Sequence, residues 1–116
     1  MKVERVDFVD VPTRDLDRAV AFYRDVLGLP QNPREPTEFE TGNLTIAVMQ
    51  SDAFGVEFRA NNHPIALHVD DFEGAKAELA SRGVEFRGDT LDSGVCCQAF
   101  FADPDGNGLV LHRRNG

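Results

Sequence analysis

"FFADPDGNGLVLH", Phe100–His112, reads as a strand, a tight turn and a second strand. Pro104 supplies the fixed φ of a turn, and Gly106 can take the positive φ that closes it. Working outward, "VCCQAFFA" and "GLVLHRR" become the two arms of a hairpin around "DPDGN". A similar arrangement stands earlier in the chain, where "TEFET" and "LTIAVMQ" flank Gly42-Asn43.

What precedes each hairpin also repeats. "VERVDFVDVP" is rich in β-branched residues and reads as a strand. In "TRDLDRAVAFYRDVLGLP", Asp15 is placed to cap a helix. Leu16, Ala19, Val20, Tyr23, Val26 and Leu27 then recur at helical spacing. Gly28 suits the left-handed position after the last turn, and Pro30 blocks continuation. In the second half "IALHV" is a strand, and Asp71 caps a helix with Phe72, Ala75 and Leu79 on one face. Gly83 ends that helix, and "VEFRG" is a further strand. The helices are predicted at roughly 15–27 and 72–82, with about eight strands. Gln31–Pro36, rich in turn formers, is a loop or a short edge strand.

The repeat predicts an α+β fold: two tandem βαβββ modules, 1–50 and 64–116, joined by a linker at 51–63 within one domain of 116 residues. Each module is under sixty residues, small for independent stability. Each would lay a helix on one sheet face. The remaining faces, on curved mixed sheets, are expected to enclose a cleft.

Composition removes some functions. A formal net charge of −8 argues against a nucleic-acid partner, which would need clustered Lys and Arg. The basic pairs Arg14/Arg18, Lys76/Arg82 and Arg113/Arg114 read as solvated faces. No apolar run approaches the ~20 residues that span a membrane, and no leader opens the chain, so a cytoplasmic protein is expected. Cys96 and Cys97 are neighbours on a strand and point to opposite faces, which disfavours a disulfide between them. They read as small apolar sheet residues; a reactive Cys97 would require a nearby cation or helix N-terminus.

"VPTRDLDRAVAFYRDVLGL", "IALHVDDFEGAKAELASRGVEF" and "FFADPDGNGLVLH", in this order, resemble the vicinal oxygen chelate superfamily. That superfamily includes glyoxalase I, extradiol dioxygenases, fosfomycin-resistance enzymes and bleomycin-resistance binding proteins. The resemblance covers nearly the whole chain and implies the fold; both metal enzymes and metal-free binders use it. For metal-dependent members it implies a donor, usually His, seven residues before each helix-capping Asp, and others, often Glu, three residues after each turn Asn. Those positions here are Phe8, Pro64, Ile46 and Val110, none with a donor atom in its side chain. No metal and no other cofactor is therefore expected. His63 lies beside Pro64 but faces the other way on a regular strand.

Counting by twos from these positions gives the expected ligand-binding cleft: Phe8 and Asp10, Ile46 and Val48, His68, and Val110 with His112. Val6, Leu44, Ala66 and Gly108 share those faces. Val9, Val11, Ile65, Leu67, Val69, Leu109 and Leu111 fall on the opposite, helix-covered faces. One of Phe100 and Phe101 must face the cleft. Glu38 and Glu40 share a face opposite Phe39 and either line the cleft or are solvated. His68 and His112 are candidates for ligand contact or proton transfer, with strand-end histidines as the plain alternative. Counted from Pro64 and Val110 taken as level, they stand ~6–7 Å apart along the strands, long for a shared ion with Asp10. No catalytic set of nucleophile, base and orienting group stands out. Two functions follow. One is a metal-free binder of a small, partly apolar molecule; the other is an enzyme of lyase, isomerase or dioxygenase type using cleft histidines or a displaced metal. A homodimer is expected from the resemblance and from free sheet edges.

Overall fold

The structure is a computed structural model and describes residues 1–115. It divides into two compact units, Met1–Ala60 and Asn61–Gly116.

In the first unit β1 (Phe8–Thr13) leads into α1 (Leu16–Ala21), followed by β2 (Glu38–Glu40) and β3 (Thr45–Gln50). Two side chains set the turn from strand to helix. Thr13 Oγ1 bonds both the N–H and the carbonyl of Asp15 at 3.0 Å, and Asp15 Oδ1 accepts from the Arg18 N–H at 3.2 Å. The expected helix continues past Ala21 as a π-helical turn, Phe22–Val26, in which the Leu27 N–H donates to the Phe22 carbonyl. Both adjacent aromatics, Phe22 and Tyr23, are buried, and the Tyr23 ring lies 5.9 Å from that of Phe39. Gly28 then takes a φ of +67°, as the helix end requires.

The sheet order is β1-β3-β2, with β1 parallel and β2 antiparallel to β3. Val9 and Phe39 both pair with Ile46, and Val11 pairs with Val48. These apolar residues share the face beneath α1, and Phe39 and Ile46 are fully buried. The possible edge strand at Gln31–Pro36 reduces to one bridge, Gln31 to Phe39. Pro33 has no N–H with which to extend it. Seven strands, not eight, therefore form among the described residues.

The second unit contains β4 (Ile65–His68), α2 (Phe72–Ser81), β5 (Arg87–Asp92), β6 (Cys96–Ala102) and β7 (Gly108–Arg114), in sheet order β4-β7-β6-β5. Asp71 Oδ1 caps α2 by accepting from the Gly74 N–H at 3.0 Å. Phe72 and Leu79 of α2 are buried with Leu109, Leu111, Ala99 and Phe101. β5 starts three residues later than the sequence suggests. The Val84 N–H still donates to the Leu79 carbonyl of α2, so pairing begins only at Arg87.

The "DPDGN" turn ties the unit together. Asp103 Oδ1 accepts from the N–H groups of Asp105 and Asn107, and Oδ2 accepts from Asn107 Nδ2 at 2.8 Å. Asn107 Oδ1 accepts from the Asn61 N–H at 2.7 Å, and the Gly108 N–H donates back to the Asn61 carbonyl. Asp103 and Asn107 are buried. The staple carries the chain past Gly108 so closely that a Cβ there would sit 3.4 Å from Pro64 Cα. No helix among the described residues is long and apolar enough to cross a membrane.

Candidate functional site

One face of each sheet lies under its own helix; the other carries the candidate residues except Ile46 and Val48. In the second unit the register lines them up in two rows. Ala66, Val110, Phe100 and Arg87 are level across β4, β7, β6 and β5. His68, His112, Gln98 and Leu91 form the next row. Paired residues share a face, so all eight stand opposite α2.

His68 and His112 are thus directly level, not offset along the strands. The offset assumed that Pro64 lies level with Val110. Ile65 pairs with Leu109, which puts Pro64 beside Gly108 instead. Level neighbours on adjacent strands hold their Cβ atoms about 5 Å apart. His68 Nε2 lies 3.0 Å from Asp70 Oδ1, and both side chains are exposed. His112 is half-buried, and its imidazole has no hydrogen-bond partner among the described residues. The neighbouring aromatics separate cleanly: Phe101 is 1% exposed with its ring 5.6 Å from Phe86, whereas half-buried Phe100 stands with Val110. Phe100 is thus the member of the Phe100/Phe101 pair on this face, while Gln98 and Arg87 were not singled out from sequence. Folding β6 back across the Asp103–Asn107 turn would have paired Gln98 with His112.

In the first unit Phe8, 56% exposed, and Asp10 stand on the face away from α1, as expected. Ile46 and Val48 do not. They pair with Val9 and Val11 and are buried on the helix side; β3 instead presents Thr45, Ala47 and Met49. Turn length explains the correction. The second-unit turn closes from the Asp103 N–H to the Asn107 carbonyl, over five residues. The first closes from the Thr41 N–H to the Leu44 carbonyl, over four. Leu44, not Asn43, therefore corresponds to Asn107, and Ala47 to Val110. A one-residue change reverses which side chains face out. Glu38 and Glu40 pair with Ala47 and Thr45, and so join Asp10 on this face. A depression of about 370 Å³ at its rim is bounded by Arg5, Asp7, Glu40 and Asn43. Its charges are already engaged: Arg5 with Asp7 at 2.9 Å and Glu40 with Thr45 at 2.8 Å.

The donor positions implied for a metal are accordingly Phe8, Ala47, Pro64 and Val110. None offers an oxygen, nitrogen or sulfur side-chain donor, so these residues do not fit a divalent ion. Among the described residues no group of three or more His, Cys, Asp or Glu could hold one. His63 is exposed in the connecting segment, its N–H bonded to Asn61 Oδ1. Cys97 lies on the α2 side with Arg113 Nη2 3.7 Å from Sγ; the cation that a reactive thiol needs is present, but the thiol is buried. Cys96 is half-buried on the other face.

Residues 5–111 match the family described as the Glyoxalase/Bleomycin resistance protein/Dioxygenase superfamily. Among solved structures, a glyoxalase/bleomycin resistance protein/dioxygenase from Nocardioides superposes with a TM-score of 0.80 at 21% identity, over 98% of this chain and 85% of that one. TnmS3, an antibiotic-binding protein from Streptomyces sp. CB03234, gives 0.77 at 23% identity over 99% of each chain. A lactoylglutathione lyase from Agrobacterium tumefaciens gives 0.78 at 18% identity, over 97% of this chain and 95% of that one. No curated protein matches the sequence.

Proposed function

The chain belongs to the glyoxalase/bleomycin resistance protein/dioxygenase superfamily, and from that premise we propose that it binds a small, partly apolar molecule without a metal ion. The supporting observation is the donor set: Phe8, Ala47, Pro64 and Val110 stand where metal-dependent members are expected to carry imidazoles or carboxylates. A divalent ion there would be held by water alone, and apolar surroundings disfavour a bare charge. The sheet face away from α2 in the second unit mixes apolar residues (Ala66, Phe100) with a few polar ones (His68, His112, Gln98), the usual make-up of a small-molecule site. One structural neighbour is described as antibiotic-binding and another as a lyase. At such identities they share the fold, and the donor chemistry favours the binder.

The second reading, an enzyme working through its histidines, draws support from one contact. Asp70 bonds His68 as a carboxylate orients a general base. A thermal-shift screen of apolar and aromatic molecules, with divalent ions withheld, separates the two. The binder reading predicts at least one compound that raises the melting temperature in the presence of chelator. A compound consumed in the reaction, with turnover abolished by His68→Gln, would favour the enzyme.

We also propose that a second copy of the chain covers β1. That strand is a sheet edge, and Val3, Val6 and Phe8 on and before it are 71%, 57% and 56% exposed.

A further inference from the structure

Charge is sorted by sheet face. The uncovered face of the first unit carries Asp10, Glu38 and Glu40 and no cation from its strands. The corresponding face of the second unit carries His68, His112, Gln98, Arg87 and Arg114. Asp70 is already bonded to His68, and Asp89 lies in the irregular stretch of β5. Arg87 and Arg114 make no ion pair among the described residues. A chain of net charge −8 thus places two guanidinium groups and two imidazoles on one sheet face.

We propose that this face binds a small carboxylate with an aromatic or branched apolar body; the inference rests on the small-molecule reading above and names the ligand class. The apolar body lies on half-buried Phe100 and exposed Ala66, which flank buried Val110 in one row. The carboxylate lies over the next row, where His112 and Gln98 are level neighbours. The half-buried His112 imidazole has no protein partner among the described residues, and an anionic oxygen gives it a charge-assisted hydrogen bond. His68, bonded to Asp70, borders that row on the β4 side as a positioning residue. Arg87 stands two strands from β7 on the same face, roughly 10 Å at the usual strand spacing, and its long side chain spans part of that distance. A cation is disfavoured here: the Arg87 and Arg114 guanidinium groups repel it, and among the described residues no third ligand joins the two imidazoles.

The test compares three probes of one shape: 2-naphthoate, 2-naphthalenemethanol and 2-naphthylmethylammonium. Binding is measured by calorimetry and by amide chemical shifts of the untagged protein. The proposal expects 2-naphthoate to bind at least about tenfold more tightly than the alcohol, with the ammonium weakest. The shifts should centre on His112, Gln98 and Phe100. His112→Phe keeps the apolar area and removes the donor. It should weaken naphthoate by about tenfold and leave the alcohol unchanged, and exposed Arg87→Gln should act in the same direction. Equal affinity for naphthoate and alcohol, or shifts that centre on the first unit, would overturn the carboxylate assignment while leaving the binder reading intact. Failure of all three probes to bind would overturn both. If His112→Phe does not fold, Arg87→Gln and the wild-type shift map decide the matter alone.

Discussion

Asn107 has two functions in one side chain: its amide fills the Asp103 carboxylate, and its carbonyl fixes Asn61. Those bonds set where β4 begins and therefore which residues reach the uncovered face. Asn107→Ala removes its bonds to buried Asp103 Oδ2 and to the part-buried Asn61 N–H. It should cost about 2–4 kcal/mol, from two lost bonds at about 1–2 kcal/mol each. Urea denaturation measures this; a loss under about 0.5 kcal/mol would show that the staple is not holding the unit. The sequence displayed "DPDGN" as a turn plainly. It did not display the bond to Asn61, because a contact across 46 positions has no local signature.

At the scale of the element, the hairpins show both how far periodicity reaches and where it fails. Alternation along "CCQAFFA" and "GLVLHRR" was legible, and the pairing of β6 with β7 follows from it. The first hairpin looked equivalent because both turns carry Gly-Asn. A four-residue closure in place of five moved Ile46 and Val48 under the helix and brought Ala47 out. Turn length depends on which N–H finds which carbonyl, and composition alone does not fix that. The π-helical turn was likewise invisible, since its residues keep helical spacing. Neighbouring aromatics on β6 give a direct check. Phe101→Ala removes a fully buried ring and should cost about 3–5 kcal/mol. Phe100→Ala should cost under about 2 kcal/mol and instead weaken binding of aromatic ligands. Similar stability losses for the two variants would mean that the assigned faces are wrong.

For the molecule as a whole, the two-fold repetition of strand, capped helix and hairpin was the most legible feature, because each unit must bury its own helix against its own sheet. The ligand was not legible, since it depends on side chains brought level by register rather than by sequence spacing. Exposed apolar residues at β1 predict a dimer in light scattering at tens of micromolar; a monomer at that concentration would remove the second-copy proposal. The central proposal is that ligand binding here does not require a metal, because the positions where the family resemblance implies donors hold Phe8, Ala47, Pro64 and Val110. The most direct measurement is elemental analysis of untagged protein, paired with affinity for a bound aromatic ligand before and after exhaustive chelation. The account predicts well under one divalent ion per chain and an affinity unchanged by chelator. One tightly held ion per chain, lost on chelation together with ligand binding and restored by adding it back, would contradict it.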